Sequence, residues 1–374
     1  MIKNLKQISK IFRNCIIILI LLELFLTLVY NYIDENEYED YIDLKISNNV
    51  HNDMSSEDIK NMYKEYKQLE MEWAPFVHYK PKKFQGKYNT INDKSQRFTF
   101  NPFTNVNKEP VKVFLFGGST MYGIGSDDNH SIPSELSKQL YRNFPTEYFQ
   151  ITNFGVLGYN RDLEINQLHN EILNNNIPDI AIFYDGVNEV YAAHQYGKVR
   201  YPLNSYNRFV EFNTAINYKK RISLFFKKTY TNRALNYIRK KISPKPIIED
   251  KSFLSKKIAS NYSENIRITR ALAKEYNFKV LNFLQPTIFV KNPLSEFEVI
   301  MKENEDYLRA IYEKTYKNIS LDTILNQDST FVNISNLFNS YNTTIFTDFC
   351  HTNEVGNKII AEEISKHLSK YLNY

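Results

Sequence analysis

From Val111 onward, short apolar runs alternate with segments of helical spacing, and this alternation constrains the fold more than any other feature. "VKVFLFG" (111–117) has the length and apolarity of a buried strand, and "IPSELSKQLYRNF" after it spaces its apolar residues as a helix does. "YFQITNFG" (148–155) with "RDLEINQLHNEILNNN" repeats the pair, and "PDIAIFYDG" (178–186) predicts a third strand. "IRITRALAKEY" reads as the helix before a fourth strand, "NFKVLNFLQP" (277–286). "EFEVIMKENEDYLRAIYEKTY" predicts one long helix, "FVNISNLF" (331–338) a fifth strand and "EVGNKIIAEEISKHLSKYL" a closing helix. Such an order predicts a parallel sheet covered on both faces, a three-layer α/β/α sandwich with right-handed crossovers.

In open parallel sheets the sites form at the carboxyl ends of the strands. Ser119 follows the first strand in "FLFGGSTMYGIG", and Gly155 and Gly158 follow the second in "NFGVLGYN". Asn188 follows the third in "DGVNEV", and Asp348 and His351 stand in "DFCHTNEVGN" after the last. A hydroxyl, a backbone donor, an amide and a carboxylate–imidazole pair are the parts that acyl transfer through a serine requires. The serine attacks, the imidazole takes its proton, and the carboxylate fixes the tautomer. The Ser119 and Gly158 N–H groups and the Asn188 amide are then the expected donors to the oxyanion.

With those residues in view, the chain resembles the SGNH (GDSL-like) hydrolase superfamily. Its blocks are Gly-Asp-Ser, a Gly, Gly-x-Asn-Asp and Asp-x-x-His, and this chain has Gly117-Gly118-Ser119, Gly158, Gly186-Val187-Asn188-Glu189 and Asp348-Phe349-Cys350-His351 in that order. The resemblance runs from about Val111 to the C-terminus and implies a flavodoxin-like sheet. It also implies Ser119 as nucleophile, His351 as base, Asp348 as its orienter, and Gly158 and Asn188 as oxyanion donors. Gly118 stands where the family has Asp, and Glu189 where it has a second Asp, so the chain reads as a divergent branch. "FGGST", "IFYDGVNEV" and "CHTNEVGN" look like a branch found in bacterial envelope proteins.

Other uses of these residues are weaker. The loop around Ser119 has neither Gly-Lys-Ser/Thr nor Gly-x-Gly-x-x-Gly, so it is not read as a phosphate cradle, and no cofactor or metal is expected. A second Asp-x-x-His, Asp127 to His130, precedes "SIPSEL" and is explained as an acidic helix-cap region. Cys350 lies in the base-bearing loop with no separate histidine partner, which argues against a thiol nucleophile. Cys15 is the only other cysteine, so no disulfide framework is expected.

The N-terminus predicts a membrane anchor. Lys3, Lys6, Lys10 and Arg13 lead into an apolar run from about Ile11 to Ile33, and the acidic "DENEYED" (34–40) follows. The run is long enough to cross a bilayer, and the charge asymmetry puts the N-terminus in the cytoplasm and the rest outside. Glu23 lies in mid-span, where an acid normally wants a partner; it reads either as the mark of a helix–helix contact or as a tolerated, protonated acid. The expected organisation is a cytoplasmic stub and anchor over 1–33, a stalk and irregular lead-in over 34–110, and a hydrolase domain over 111–374. A basic insertion over about 197–246 interrupts that domain, with thirteen Lys/Arg against the single acid Glu211. Its 218–242 stretch mixes bases with Phe, Tyr, Leu and Ile, as a helix lying on anionic lipid or gathering an acidic glycan does, and equally as a solvated cap packed over the sheet by its aromatics does.

The expectation is therefore a membrane-anchored serine esterase. Its expected substrates are O-acyl esters, acetyl foremost, on an envelope glycan or lipid; no nucleic-acid partner is expected. The same site would serve an O-acyltransferase modifying a surface polysaccharide. A catalytically idle domain that binds an envelope polymer is the alternative from another class.

Overall fold

The structure is a computed structural model of the 374-residue chain and describes residues 2–102, 108–205, 227, 229–242 and 250–371. Two compact units share the chain: Met1–Leu44 with Asn204–Glu249, and Lys45–Leu203 with Asp250–Tyr374.

The larger unit begins with the last turn of α1 (Ile2–Ser47) and continues through α2 (Ser56–Gln68). Ser55 starts α2 by accepting from the Asp58 N–H at 3.1 Å, and the helix buries Ile59, Met62 and Tyr63. Two short antiparallel pairs follow, β1 (Met71–Ala74) with β2 (His78–Pro81), and β3 (Phe84–Gln85) with β4 (Thr90–Ile91). Much of the stretch expected as irregular lead-in is thus regular structure within this unit.

Five parallel strands form the central sheet: β5 (Val111–Gly117), β6 (Phe149–Asn153), β7 (Ile180–Asp185), β8 (Lys279–Leu284) and β9 (Phe331–Asn333). Their spatial order is β6-β5-β7-β8-β9, the doubly wound order of a flavodoxin-like sheet. β7, at the centre, is buried at every position, whereas edge strand β6 alternates buried and open positions. Phe116 stacks on Phe154 and Phe183 with ring centroids 5.1 and 4.8 Å apart. Truncating a core ring of this kind removes about 3–5 kcal/mol.

The expected helices are present as α4 (Ile132–Asn143), α5 (Arg161–Leu173), α7 (Lys251–Glu275), α8 (Glu296–Asn304) with α9 (Asp306–Ser320), and a closing α10 (Glu354–Tyr371), whereas α3 (Ser119–Tyr122) after β5 and α6 (Val187–Tyr196) after β7 are additions to that expectation. Two expectations need correction. The single helix expected from residue 296 is two, because Glu305 leaves helical geometry (φ −110°, ψ 20°) and the Leu308 N–H turns back to its carbonyl at 2.9 Å. The fifth strand is three residues long, because the Asn333 side chain accepts from the Ser335 N–H at 3.0 Å and turns the chain out of the sheet.

The smaller unit holds most of α1. Its 6–47 stretch is the one described helix long and apolar enough to cross a membrane, and most of its apolar side chains from Ile8 to Leu28 are exposed. Of the two readings of Glu23, the structure shows a paired carboxylate. Its carboxylate accepts from the Tyr230 and Thr231 N–H groups at 2.6 and 2.9 Å and from the Thr231 hydroxyl at 2.7 Å, at the start of helix Tyr230–Ile242. Arg233 of that helix makes a two-pronged pair with Asp34, both contacts 2.6 Å. Most of the rest of the basic insertion lies outside the described residues.

Candidate active site

β5 delivers the chain to Gly118, and Ser119 opens the single turn α3. Residues 113–117 and 120–123 are buried, while Ser119 is part-exposed, so the hydroxyl stands out of a buried turn. Arg97, itself buried, stiffens the chain just beyond α3. Its guanidinium donates to the carbonyls of Tyr122, Gly123 and Ser126 at 3.1, 2.6 and 2.7 Å and pairs with Asp128 at 2.9 Å.

The loop before α10 brings up the other half. His351 Nε2 lies 2.7 Å from Ser119 Oγ, and His351 Nδ1 lies 2.5 Å from Asp348 Oδ2. A carboxylate can only accept, so Nδ1 carries the hydrogen and Nε2 is left to accept from the serine hydroxyl. Asp348 Oδ1 accepts from the Cys350 and His351 N–H groups at 2.9 and 2.8 Å. Burial pushes the Asp348 carboxyl up, but the His351 ring and the Lys45 ammonium outweigh it and hold the group well below the usual carboxylate range. The loop rests on buried supports. Glu298 accepts from the Ile345 and Phe346 N–H groups at 3.0 and 3.1 Å, and Asn353 donates to the Val50 and Thr344 carbonyls at 2.8 and 3.0 Å.

The turns after β6 and β7 meet beside Gly118. The Asn188 amide donates to the Tyr159 carbonyl at 2.5 Å, and a Cβ added at Gly118 would fall 2.1 Å from Asn188 Nδ2 and 3.2 Å from that carbonyl. One amide hydrogen of Asn188 is thereby used, leaving the other to donate. Gly158 sits at φ +76°, a left-handed backbone that favours glycine. Tyr79 backs this turn by donating to the Leu157 carbonyl at 2.8 Å. Thus Ser119, His351 and Asp348 form one hydrogen-bonded chain, with Asn188 and the 158–159 turn adjoining Gly118.

Residues 113–364 match the GDSL-like lipase/acylhydrolase family, two thirds of the chain. The chain belongs to that family. This GDSL-like protein is an ester-hydrolysing serine hydrolase. No curated protein sequence matches it. Solved structures similar to it include an acetyl xylan esterase, AlAXEase, at 14% identity and TM-score 0.38, covering 68% of this chain and 98% of that one. The acetylxylan esterase Axe2 from Geobacillus stearothermophilus, as a catalytic mutant, is 13% identical over 69% of this chain and 93% of its own, TM-score 0.39. A lipase/acylhydrolase from Enterococcus faecalis is 12% identical over 70% and 96%, TM-score 0.41.

Both departures of this GDSL-like hydrolase from its family's blocks have local physical reasons. An Asp at position 118 would drive its Cβ into the Asn188 amide, so only glycine fits this arrangement. Glu189 is buried and accepts from the Gly186 and Arg161 N–H groups at 2.7 and 2.6 Å, tying the β7 turn to the start of α5. Burial, then the nearby Asp185, push its carboxyl up to about 8.

His130 is not near Ser119 by any described hydrogen bond; its Nδ1 pairs with Asp127 at 2.8 Å on a half-exposed loop. Cys350 and Cys15 are both free. Burial pushes the Cys350 thiol up, so it stays protonated, and its Sγ lies 3.7 Å from His351 Nδ1. Ligand atoms of Asp348, Cys350 and His351 also stand within 4.8 Å of one another, but the imidazole and carboxylate already serve each other. Arg97, Tyr79 and Lys45 escape the sequence reading. No local spacing marks them, because each acts on a carbonyl far along the chain.

Proposed function

We propose that this protein is a membrane-anchored serine esterase that removes O-acyl groups, acetyl foremost, from an envelope glycan or lipid. The observation that carries the reading is the His351 ring bridging Ser119 Oγ and Asp348 at 2.7 and 2.5 Å. Ser119 Oγ attacks the ester carbonyl while its proton passes to His351 Nε2. The resulting oxyanion is received by the Ser119 and Gly158 N–H groups and the free hydrogen of the Asn188 amide. His351 returns the proton to the departing alcohol as the C–O bond breaks, leaving an acyl-serine. Water, deprotonated by the same nitrogen, then attacks the acyl carbonyl, and the proton passes to Ser119 Oγ as its bond to the acyl group breaks and the acid leaves.

A fluorophosphonate probe tests the nucleophile: wild type should be labelled and Ser119→Ala should not. Labelling that persists in Ser119→Ala at equal stoichiometry would sink the assignment. Product analysis with an acylated glycan, with and without a sugar acceptor, then separates hydrolysis from transfer to a second hydroxyl.

The membrane part of the reading is supported by the exposed apolar helix, by bases before it and acids after it, and by the pairing of Glu23. A mid-span carboxylate and the N–H groups of a helix start are both unfavourable in hydrocarbon, and each satisfies the other here. The N-terminus then lies in the cytoplasm and the hydrolase outside. Leu235, Tyr237 and Ile238 are exposed on helix Tyr230–Ile242, which suits a segment lying on lipid. Lys227 is described, whereas Lys219, Lys220, Arg221 and Lys228 lie outside the described residues. Reversing these five charges should weaken salt-sensitive binding to anionic vesicles. Binding and activity that both ignore the reversal would leave the insertion as structural cover.

A further inference from the structure

Lys45 stands outside the serine–histidine–aspartate chain, yet it is wholly buried against the loop that carries the aspartate and histidine. It lies on the last turn of α1, and its ammonium donates to the carbonyl of Thr347, the residue before Asp348. The Tyr63 and Phe297 rings flank it, with centroids 5.1 and 5.8 Å from Nζ. The Thr347 peptide is held on its other side too, because its N–H donates to the His351 carbonyl at 2.8 Å. A displacement at Thr347 therefore reaches both the aspartate and the histidine.

Lysines are not buried without a compensating charge. Two acids on neighbouring elements are already taken: Glu354 by His51 at 2.9 Å, and Glu298 by Lys291. The acid that Lys45 acts on is Asp348, whose own partner is His351. Burial pushes the ammonium down to about 8 while Asp348 pulls it up, so most of it stays charged at neutral pH.

We propose that Lys45 is a positioning residue for the acyl transfer: it fixes the Asp348–His351 loop through the Thr347 carbonyl and keeps a cation beside the Asp348 carboxylate. The inference rests on the proposed roles of Ser119, Asp348 and His351. The cation favours the aspartate anion and opposes a second positive charge on the neighbouring ring.

The test uses the full chain and a small soluble acetyl ester, with Lys45→Met and Lys45→Gln. Met keeps the volume and removes both donor and charge, whereas Gln keeps a donor. Lys45→Met should lower kcat about tenfold with KM little changed, and move the acid limb of the rate profile up by about half a pH unit. Lys45→Gln should move the limb as far while losing less kcat. Thermal unfolding checks the fold, and replacing a buried ion by an apolar group is often neutral or stabilising. A folded Lys45→Met protein with the wild-type kcat and acid limb overturns the inference. So does a lower kcat with an unmoved limb, the mark of a merely structural residue. Ser119→Ala is run in parallel: turnover that survives there overturns the underlying site reading, whereas its loss beside a silent Lys45→Met overturns the role of Lys45 alone.

Discussion

Asp127–His130 and Asp348–His351 share a spacing and, locally, a geometry. In each the aspartate accepts from the backbone N–H groups two and three residues on, at 2.9 and 3.0 Å in the first and 2.9 and 2.8 Å in the second. In each it also takes the ring Nδ1, at 2.8 and 2.5 Å. In both places the four residues close the same turn on themselves. What separates the two is the far side of the ring. His351 Nε2 meets a serine at the end of another strand, and only 15% of its side chain is exposed, against 44% for His130. Chemistry is added by the sheet, not by the motif.

The sharpest break of that comparison is to remove each ring. His351→Gln should lower turnover by about ten-thousandfold, as Ser119→Ala should, because members of such a set act as a unit. His130→Gln should leave kcat/KM for a soluble ester unchanged. Activity lost in the His130 variant and kept in the His351 variant would exchange their roles.

Next in size is the proposed oxyanion side, taken up by Asn188 and the 158–159 turn. Asn188→Ala should cost about 10²–10³ in kcat with little change in KM, if the amide contact tightens in the transition state. Gly118→Asp, which restores the family's usual residue, should do comparable damage by displacing that amide. The double variant should be little worse than either single one, since both remove the same donor. A gain of activity in Gly118→Asp would mean that Asn188 does not stand where the hydrogen bond to Tyr159 holds it.

Stability should follow the other motif's neighbourhood. Arg97 pairs with Asp128, the residue beside Asp127, and satisfies the carbonyls of the turn after Ser119. Arg97→Met leaves a buried acid and several carbonyls without donors, a loss of about 3–5 kcal/mol by urea unfolding. A variant within about 1 kcal/mol of wild type would show that water replaces the guanidinium.

How far the sequence reaches can be argued from these same residues. Ser119, Gly158, Asn188, Asp348 and His351 are each part-exposed at the end of a strand or in the loop before a helix. Strand ends follow from apolar run lengths, so the parallel sheet and the placement of these groups are both legible in one dimension. Lys45, Tyr79 and Arg97 are not, because they act on carbonyls 302, 78 and 26 residues away. The break at Glu305 is equally hidden, since the apolar spacing continues through it. The short strands between Met71 and Ile91 escape because four and two residues are too few to show a period.

The smallest effect expected concerns His130 itself, and it separates a structural pair from a chemical one. The hydrogen bond to Asp127 raises the His130 pKa, although burial opposes it. A raised histidine pKa contributes stability that is full below the unfolded value of about 6.5 and is lost as pH rises through the folded value. Asp127 is shifted the other way: burial raises its pKa, but the bond and charge of His130 outweigh that and lower it. Its contribution is present above the unfolded carboxylate value and is lost as pH falls through the folded one. Both contributions are therefore present between about pH 4 and 6.5. Within that window wild type should melt above His130→Gln by less than about 2 °C, as a half-exposed pair allows, and the two should converge near pH 8. Equal melting temperatures at pH 5.5 would show that the Asp127 turn needs only its backbone bonds. An activity difference between the two proteins at any pH would mean that the first motif reaches the ester after all.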